Sequence, residues 1–143
     1  MQPIRLQTLT VQTSSRNELV EVTDRLRKVV STFRILEGML VVYVPHTTAA
    51  VTINENADPD VKSDMLAKLS TLVPQREAYY RHGEGNSDSH VKSAMVGQSV
   101  IVLVEGGRLV LGRWQGVYFC EFDGPRDRDL IVKMVKFAPA DRG

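Results

Sequence analysis

Three histidines are the side chains in this sequence that are best suited to chemistry near neutral pH. His46 follows an apolar run, and His82 and His90 bracket a polar, glycine-containing loop. Imidazole is the commonest side-chain ligand for metals and also acts as a general base. Three imidazoles with an open fourth position make the geometry of a catalytic zinc site. The alternative is three unrelated surface or capping histidines, because the spacing from His82 to His90 matches no zinc signature.

Carboxylates and amides supply the second group of candidates. Glu55 stands between Asn54 and Asn56, directly after an apolar run. This tripeptide is typical of a turn, and the alternative is that it directs a carboxylate and two amides into a cleft. The loop 81–90 has no aliphatic side chain and carries further oxygen ligands at Glu84, Asn86 and Asp88. These side chains suit Mg²⁺ or Ca²⁺, and the alternative is a solvated surface loop.

Two positions near the end of the chain suit ligand binding. Arg126 or Arg128 offers a guanidinium that matches a phosphate group, with a solvated surface ion pair as the alternative. Gln115 lies between Trp114, which we assign to the core, and an apolar run.

The elements that position these residues follow from hydrophobic periodicity. Strands are predicted at 4–11, 39–44 and 49–53, with the His46 corner between the second and the third. Helices are predicted at about 23–35, from Asp58-Pro59 to Pro74, and at 90–96 with Asp88 or Ser89 as cap. The last third predicts an antiparallel meander of strands at 100–104, 108–111, 117–122 and 130–135, with a hairpin turn at Gly106-Gly107. This order favours an α+β fold.

Composition limits the classes of function. The chain has 143 residues, 43% hydrophobic and 24% charged, which predicts one globular domain over residues 1–143. A net charge of +1 predicts no binding to nucleic acid and no attraction to an anionic membrane. The single cysteine, Cys120, and the lack of an apolar leader or spanning segment predict a cytoplasmic protein.

Several segments together resemble a known family. Residues 45–50 and 54–59 resemble the first signature of the YjbQ-like family, and His82, Glu84-Gly85 and residues 89–93 resemble its central segment. Residues 99–104, Gly107, Gly112, Trp114-Gln115 and Val117 resemble its C-terminal signature. Arg113 stands where the family usually has threonine, and the loop between His82 and His90 looks shorter than in some relatives.

The resemblance implies an α+β domain with antiparallel sheets packed as a sandwich and two to three helices. It also implies a homotrimer with a site near a subunit interface, built around His46, Glu55, His82 and His90. Members are described as secondary thiamine-phosphate synthases, which join a pyrimidine diphosphate to a thiazole phosphate and release pyrophosphate. That reaction is a side activity.

Two functions compete for this site. In an enzyme, His46, Glu55 and His90 are the catalytic candidates, and His46, His82 and His90 are the ligands of a divalent metal such as Zn²⁺, Mg²⁺ or Mn²⁺. The alternative is a non-enzymatic trimer that binds a metal or a phosphorylated metabolite. The predicted small-molecule partner is phosphorylated, and its binding candidates are Thr47, Thr48, Asn54, Asn56, Lys92, Gln115 and Arg126.

Overall fold

The computed structural model describes residues 5–139, which form eight strands and three helices. In chain order the elements are β1 (Arg5–Gln12), β2 (Glu18–Glu21), α1 (Thr23–Thr32), β3 (Gly38–Tyr43), β4 (Ala49–Glu55), α2 (Pro59–Leu72), α3 (Ser87–Val96), β5 (Ser99–Glu105), β6 (Arg108–Leu109), β7 (Gln115–Glu121) and β8 (Asp127–Lys136).

The strands form two antiparallel sheets that pack face to face. The five-stranded sheet has the order β1-β8-β3-β5-β6, and the three-stranded sheet has the order β2-β7-β4. Side chains alternate along each strand, so one face of each sheet supplies the core between them. Leu40 and Val132 come from one sheet, Val51 and Phe119 from the other, and Leu26 of α1 joins them. The predicted α+β class with sandwiched antiparallel sheets is confirmed.

Helices α2 and α3 lie on the other face of the three-stranded sheet, where a second apolar cluster forms. Helix α2 begins as predicted: Pro59 is its first residue, and the Asp58 side chain accepts a hydrogen bond from the Asp60 amide at 2.9 Å. Its apolar residues Met65, Leu66 and Leu69 pack against this cluster and are partly buried. No residue of α2 is fully buried, and the side chain of Leu72 is 57% exposed. No helix in the described range is long and apolar enough to span a membrane.

The first third of the chain differs from the sequence-based expectation at three points. Residue 4, where the first predicted strand begins, lies outside the described residues, and the short β2 was not predicted. Helix α1 ends at Thr32 and not near residue 35, because Arg34 adopts a left-handed conformation with φ of 51°. The Ile35 amide then bonds back to the Val30 carbonyl at 3.0 Å, as in a Schellman cap.

The later elements also needed correction, and Trp114, which the sequence analysis assigned to the core, is 53% exposed. Helix α3 begins at Ser87 and not at His90, because Asp88 and Ser89 are buried helical residues and not caps. The four predicted C-terminal strands exist, but they do not form one meander, since β7 belongs to the other sheet. The predicted hairpin turn is confirmed: Gly106 and Gly107 join β5 to β6, both with positive φ.

Candidate functional site

His46 lies in the connection that crosses from β3 in one sheet to β4 in the other. Its Nε2 accepts a hydrogen bond from the Asp129 amide at 2.9 Å. Burial, assisted by the charge of Arg128, lowers the pKa of His46. The ring is therefore neutral near pH 7. Because a neutral imidazole carries one proton and Nε2 is the acceptor here, that proton is assigned to Nδ1.

His90 reaches the same corner because two serine hydroxyls fasten α3 to the sheet. Ser89 Oγ donates to the carbonyl of Phe122 at 2.5 Å, and Ser93 Oγ donates to the carbonyl of Ala49 at 2.6 Å. Both serines are fully buried. His90 follows the first of them in the sequence, so its position is set by the start of β4 and the end of β7.

Two adjoining cavities meet at this corner and share four lining residues, which are Pro45, His46, Thr47 and His90. We call the two together the histidine cleft. Its polar half has a volume of about 370 Å³ and is otherwise lined by Thr48, Glu84, Asn86, Asp123, Arg126 and Arg128. Its second half, about 530 Å³, is otherwise lined by Tyr43, Ser93, Ala94 and Gln98. The cleft thus combines a charged compartment with one that offers an aromatic ring and small side chains.

A buried ion pair between Arg128 and Glu121 lies beneath the polar half of the cleft, where Arg128 is part of the lining. Arg128 of β8 donates to both carboxylate oxygens of Glu121 and, at 2.8 Å, to the hydroxyl of Thr48. Thr13 Oγ1 donates to the same carboxylate at 2.7 Å. Burial alone would raise the pKa of Glu121, but the bonds from Arg128 and Thr13 outweigh it and the pKa is lowered. Arg128 is therefore neutralised by Glu121, whereas Arg126 lies on the rim with its side chain half exposed, 3.1 Å from Asp123.

Lys92, predicted to bind phosphate, is placed elsewhere. Its side chain is 2% exposed, and its ammonium lies 3.1 Å from Asp88 and 3.3 Å from Asn17 Oδ1. Asp88 also receives two bonds from Arg16, at 2.9 and 3.0 Å. Burial opposes ionisation of Asp88, but Arg16 and Lys92 together lower its pKa. Lys92 lines neither half of the cleft. Its bonds to Asp88 and Asn17 therefore hold α3 in position against the rest of the domain.

The Asn54-Glu55-Asn56 run lies at the opposite end of β4 from the histidines. Glu55 pairs with Gln115 across to β7, whereas the first residue of β4, Ala49, pairs with Glu121. Asn56 Nδ2 donates to the carboxylate of Glu21 at 3.2 Å, and Gln115 Oε1 accepts from the Gly112 amide at 2.7 Å. Within one chain, these four predicted site residues do not line the histidine cleft.

The third histidine lies beside the cleft but is not part of its lining. The ring of His82 meets that of His90 edge-on, with centroids 5.4 Å apart, and its Nε2 is 3.7 Å from a Glu84 carboxylate oxygen. His82 lines neither half of the cleft. Across residues 5–139, no group of three or more His, Cys, Asp or Glu side chains is arranged to hold a metal ion. The predicted metal ligands therefore do not converge within one chain.

Sequence reasoning missed two acidic residues of this corner, Glu121 and Asp123. A signal was present: Glu121, Asp123 and Arg128 flank the turn between two apolar strands. Alternation predicts that Glu121 faces the opposite side from Cys120, but only the fold shows that this side meets Thr13 and Thr48.

Comparisons with known proteins agree with this fold. The family model described as "UPF0047 protein YjbQ-like" matches residues 7–137. The UPF0047 protein YugU of Bacillus subtilis is 49% identical over 130 residues, which cover 91% of this chain and 98% of that protein. A crystal structure of an uncharacterised YjbQ/UPF0047 protein from Clostridium acetobutylicum is 45% identical and has a TM-score of 0.88, over 90% of this chain and 99% of that one. A YbjQ-like protein of unknown function from Sulfolobus solfataricus, 28% identical, has a TM-score of 0.89 over 94% and 99% of the two chains. The chain therefore belongs to the UPF0047 YjbQ-like family.

Proposed function

We propose that the histidine cleft binds a phosphorylated small molecule, with the phosphoryl group in the polar half and the rest of the molecule beside Tyr43. The observation that carries this proposal is the pair of adjoining cavities that share His46 and His90. A molecule spanning both halves would contact both imidazoles. Small-molecule sites are typically concave and combine an apolar wall with a few polar groups.

The protonation of His46 favours an anionic ligand over a metal ion. A metal ligand must present a bare ring nitrogen, but Nε2 of His46 is occupied by the Asp129 amide and Nδ1 carries the proton. The same Nδ1–H is a suitable donor to a phosphoryl oxygen. Within residues 5–139, no three or more His, Cys, Asp or Glu side chains are grouped to hold a metal ion, and the proposal uses no metal.

Further donors surround the polar half. Arg126 is half exposed, and its guanidinium can turn from Asp123 to a phosphoryl group. Thr47 lines both halves of the cleft and carries a hydroxyl that can donate. Asn86, the residue that precedes α3, also lines the polar half, so the positive end of this helix dipole lies at its wall. Glu84 provides an acceptor for a hydroxyl or amino group of the ligand.

This arrangement supports two kinds of function. The first is the transfer reaction implied by the family resemblance, in which a pyrimidine diphosphate reacts with a thiazole phosphate and pyrophosphate leaves. In that reaction, the thiazole nitrogen bonds to the methylene carbon of the pyrimidine diphosphate as the bond from that carbon to the diphosphate oxygen breaks. His46 donates a hydrogen bond to the departing pyrophosphate, and His90 gives a proton to its leaving oxygen. The second is a binding protein that uses the same cleft without turnover. Glu55 enters either function only if another copy of the chain brings it to the cleft.

Calorimetric titration with pyrophosphate tests the cleft. We expect His46→Ala and His90→Ala each to weaken binding by about tenfold or more, the loss of one hydrogen bond to a charged group. His82→Ala is the matched control, because His82 lies beside His90 but outside the cleft. Equal losses of affinity in all three variants would favour a site built from His46, His82 and His90 together. Unchanged binding in His46→Ala would refute the proposal.

Turnover separates the enzyme from the binding protein. The same variants are assayed for thiamine phosphate formation from the pyrimidine diphosphate and the thiazole phosphate. An enzyme loses turnover in His90→Ala, whereas a binding protein shows no turnover in any variant and keeps the pattern of pyrophosphate affinities.

We also propose that the chain associates with itself through the outer face of the five-stranded sheet. Strands β3 and β5 expose apolar side chains there: Tyr43, Ile101 and Leu103 are 45%, 59% and 51% exposed. Val41 pairs with Ile101 and Met39 with Leu103, so these residues form one continuous patch. Such patches mark association surfaces. The family resemblance implies three copies, and Tyr43, which lines the histidine cleft, would bring the cleft close to this interface.

Light scattering of the eluting protein tests the interface. We expect a trimer for the wild type and a monomer for Ile101→Lys. Ser63→Lys, on the exposed surface of α2, is the control that keeps the wild-type mass. A monomeric wild type, or an Ile101→Lys variant that keeps the trimer, would contradict the proposed surface.

A further inference from the structure

A third cavity lies under α2 and shares no residue with the histidine cleft. It has a volume of about 410 Å³ and is lined by Leu19, Thr52, Met65, Lys68, Leu69, Met95, Val96 and Cys120. Leu19 and Cys120 belong to the three-stranded sheet and are buried, so they form its floor. We call it the α2 cavity. Its volume falls within the range of roughly 300–1,000 Å³ that small-molecule sites occupy.

The walls of the α2 cavity are adaptable. Helix α2 contributes Met65 and Leu69 to the lining. None of its residues is completely buried, so few contacts hold the helix against the sheet. Met95, which is 56% exposed, extends from α3 to the same opening. Methionine side chains are flexible and polarizable and pack against apolar groups of varied shape. These walls suit an apolar ligand group and can adapt to more than one ligand shape.

The positive charge of Lys68 at the opening of the α2 cavity favours a ligand with an anionic group at one end. Lys68 is the only charged residue that lines the α2 cavity, it is exposed, and it makes no ion pair with any described residue. Burial raises the pKa of the Cys120 thiol to about 12, so the floor carries no charge near pH 7. The α2 cavity therefore presents an uncharged, mostly apolar interior beneath one unpaired cation.

We infer that the α2 cavity binds a small amphiphilic anion, whose apolar chain lies between α2 and the sheet and whose carboxylate contacts Lys68. The ligand class is a free carboxylate with a chain of medium length. Apolar contact supplies most of the affinity, and the ammonium of Lys68 distinguishes an anion from a cation of equal chain length. This site is independent of the cleft that holds His46 and His90.

Calorimetric titration of the full chain with decanoate and with decyltrimethylammonium tests the inference. The two probes have the same chain and opposite charges. We expect wild type to bind decanoate at one site per chain, at least threefold more tightly than the cation. Lys68→Glu should reverse this preference. Lys62→Glu makes the same change on the same helix but outside the lining, and it should leave the preference for decanoate unchanged.

A second variant tests the interior. Leu69→Trp should fill the α2 cavity and weaken binding of both probes by about tenfold or more, while pyrophosphate binding at the histidine cleft stays at its wild-type level and shows that the variant is folded. Absence of saturable decanoate binding in wild type would overturn the inference. So would a preference for decanoate that persists in Lys68→Glu.

Discussion

The two ends of β4 carry polar residues under opposite physical conditions. At its start, Thr48 is 6% exposed and joins the buried pair of Glu121 and Arg128. At its end, Asn54 and Asn56 are exposed, and Asn56 makes one side-chain bond of 3.2 Å. Burial makes every missing partner costly at the first end, whereas water replaces a lost partner at the second. Polar residues at the start of β4 are therefore part of the fold, and those at its end are free to serve a ligand or another chain.

The largest expected effect comes from removing the buried carboxylate. Glu121→Ala leaves Arg128, whose side chain is 3% exposed, without a counter-charge. Breaking a buried pair in this way costs about 3–5 kcal/mol of the free energy of unfolding. Glu55→Ala removes a carboxylate from the other end of β4 and should cost less than about 1 kcal/mol. Chemical denaturation of both variants gives the two values.

Equal costs for these two substitutions would break the comparison. Glu121→Gln serves as the control for shape, because it keeps the volume of the side chain while it removes the charge. We expect its cost to lie between those of the other two variants.

The next effect appears as a dependence of stability on pH. The pKa of Asp88 is lowered from its ordinary value of 3.8, against the effect of burial, by Arg16 and Lys92. A carboxyl group with a lowered pKa stabilises the folded state fully above its unfolded pKa and loses that contribution as the pH falls through the folded value. As the pH falls below about 4, where the unfolded chain begins to bind this proton, the wild type should therefore lose stability steeply, and Asp88→Asn less steeply.

The variant Asp88→Asn must also be less stable than wild type at pH 7, because Lys92 then lacks its counter-charge. Glu55→Gln is the control at the exposed end of β4 and should keep the wild-type slope. Parallel curves for wild type and Asp88→Asn would show that Asp88 does not govern acid unfolding.

The sequence predicted the elements whose signals are local. The Asp58-Pro59 start of α2 and the glycine turn between β5 and β6 depend on neighbouring residues, and both are confirmed. The end of α1 was misplaced because a left-handed arginine, Arg34, replaces the glycine that usually marks this conformation. The four-residue β2 has too short a pattern to be recognised, and it exists because β7 pairs with it.

The residues of the candidate site were predictable only where the side-chain chemistry of one residue type, histidine, was enough to identify them. His46 and His90 were identified from chemistry alone, and the fold brings both to one cleft. The buried position of Lys92 was not predicted, because it depends on Asp88 one helical turn away and on Asn17 from a distant part of the chain. Glu55 was grouped with His46 by the family resemblance, although the predicted strand at 49–53 already separates the two residues, and in the structure they lie at opposite ends of β4.

The smallest expected effect is a pair of single hydrogen bonds, one at each end of β4. Thr48→Val removes a hydroxyl that accepts from Arg128 at 2.8 Å in a buried setting, and should cost about 1 kcal/mol. Asn56→Ala removes the exposed bond to Glu21, which keeps its bond from Thr23, and should cost under about 0.5 kcal/mol. Thermal melting of both variants, with pyrophosphate titration on the same samples, separates the two roles. If Asn56→Ala keeps its stability but loses affinity for pyrophosphate, the exposed end of β4 reaches the histidine cleft of another copy, since within one chain it lies at the far end of the strand. If it keeps both, the cleft is complete without Asn56, and the predicted role of Asn56 in binding is wrong.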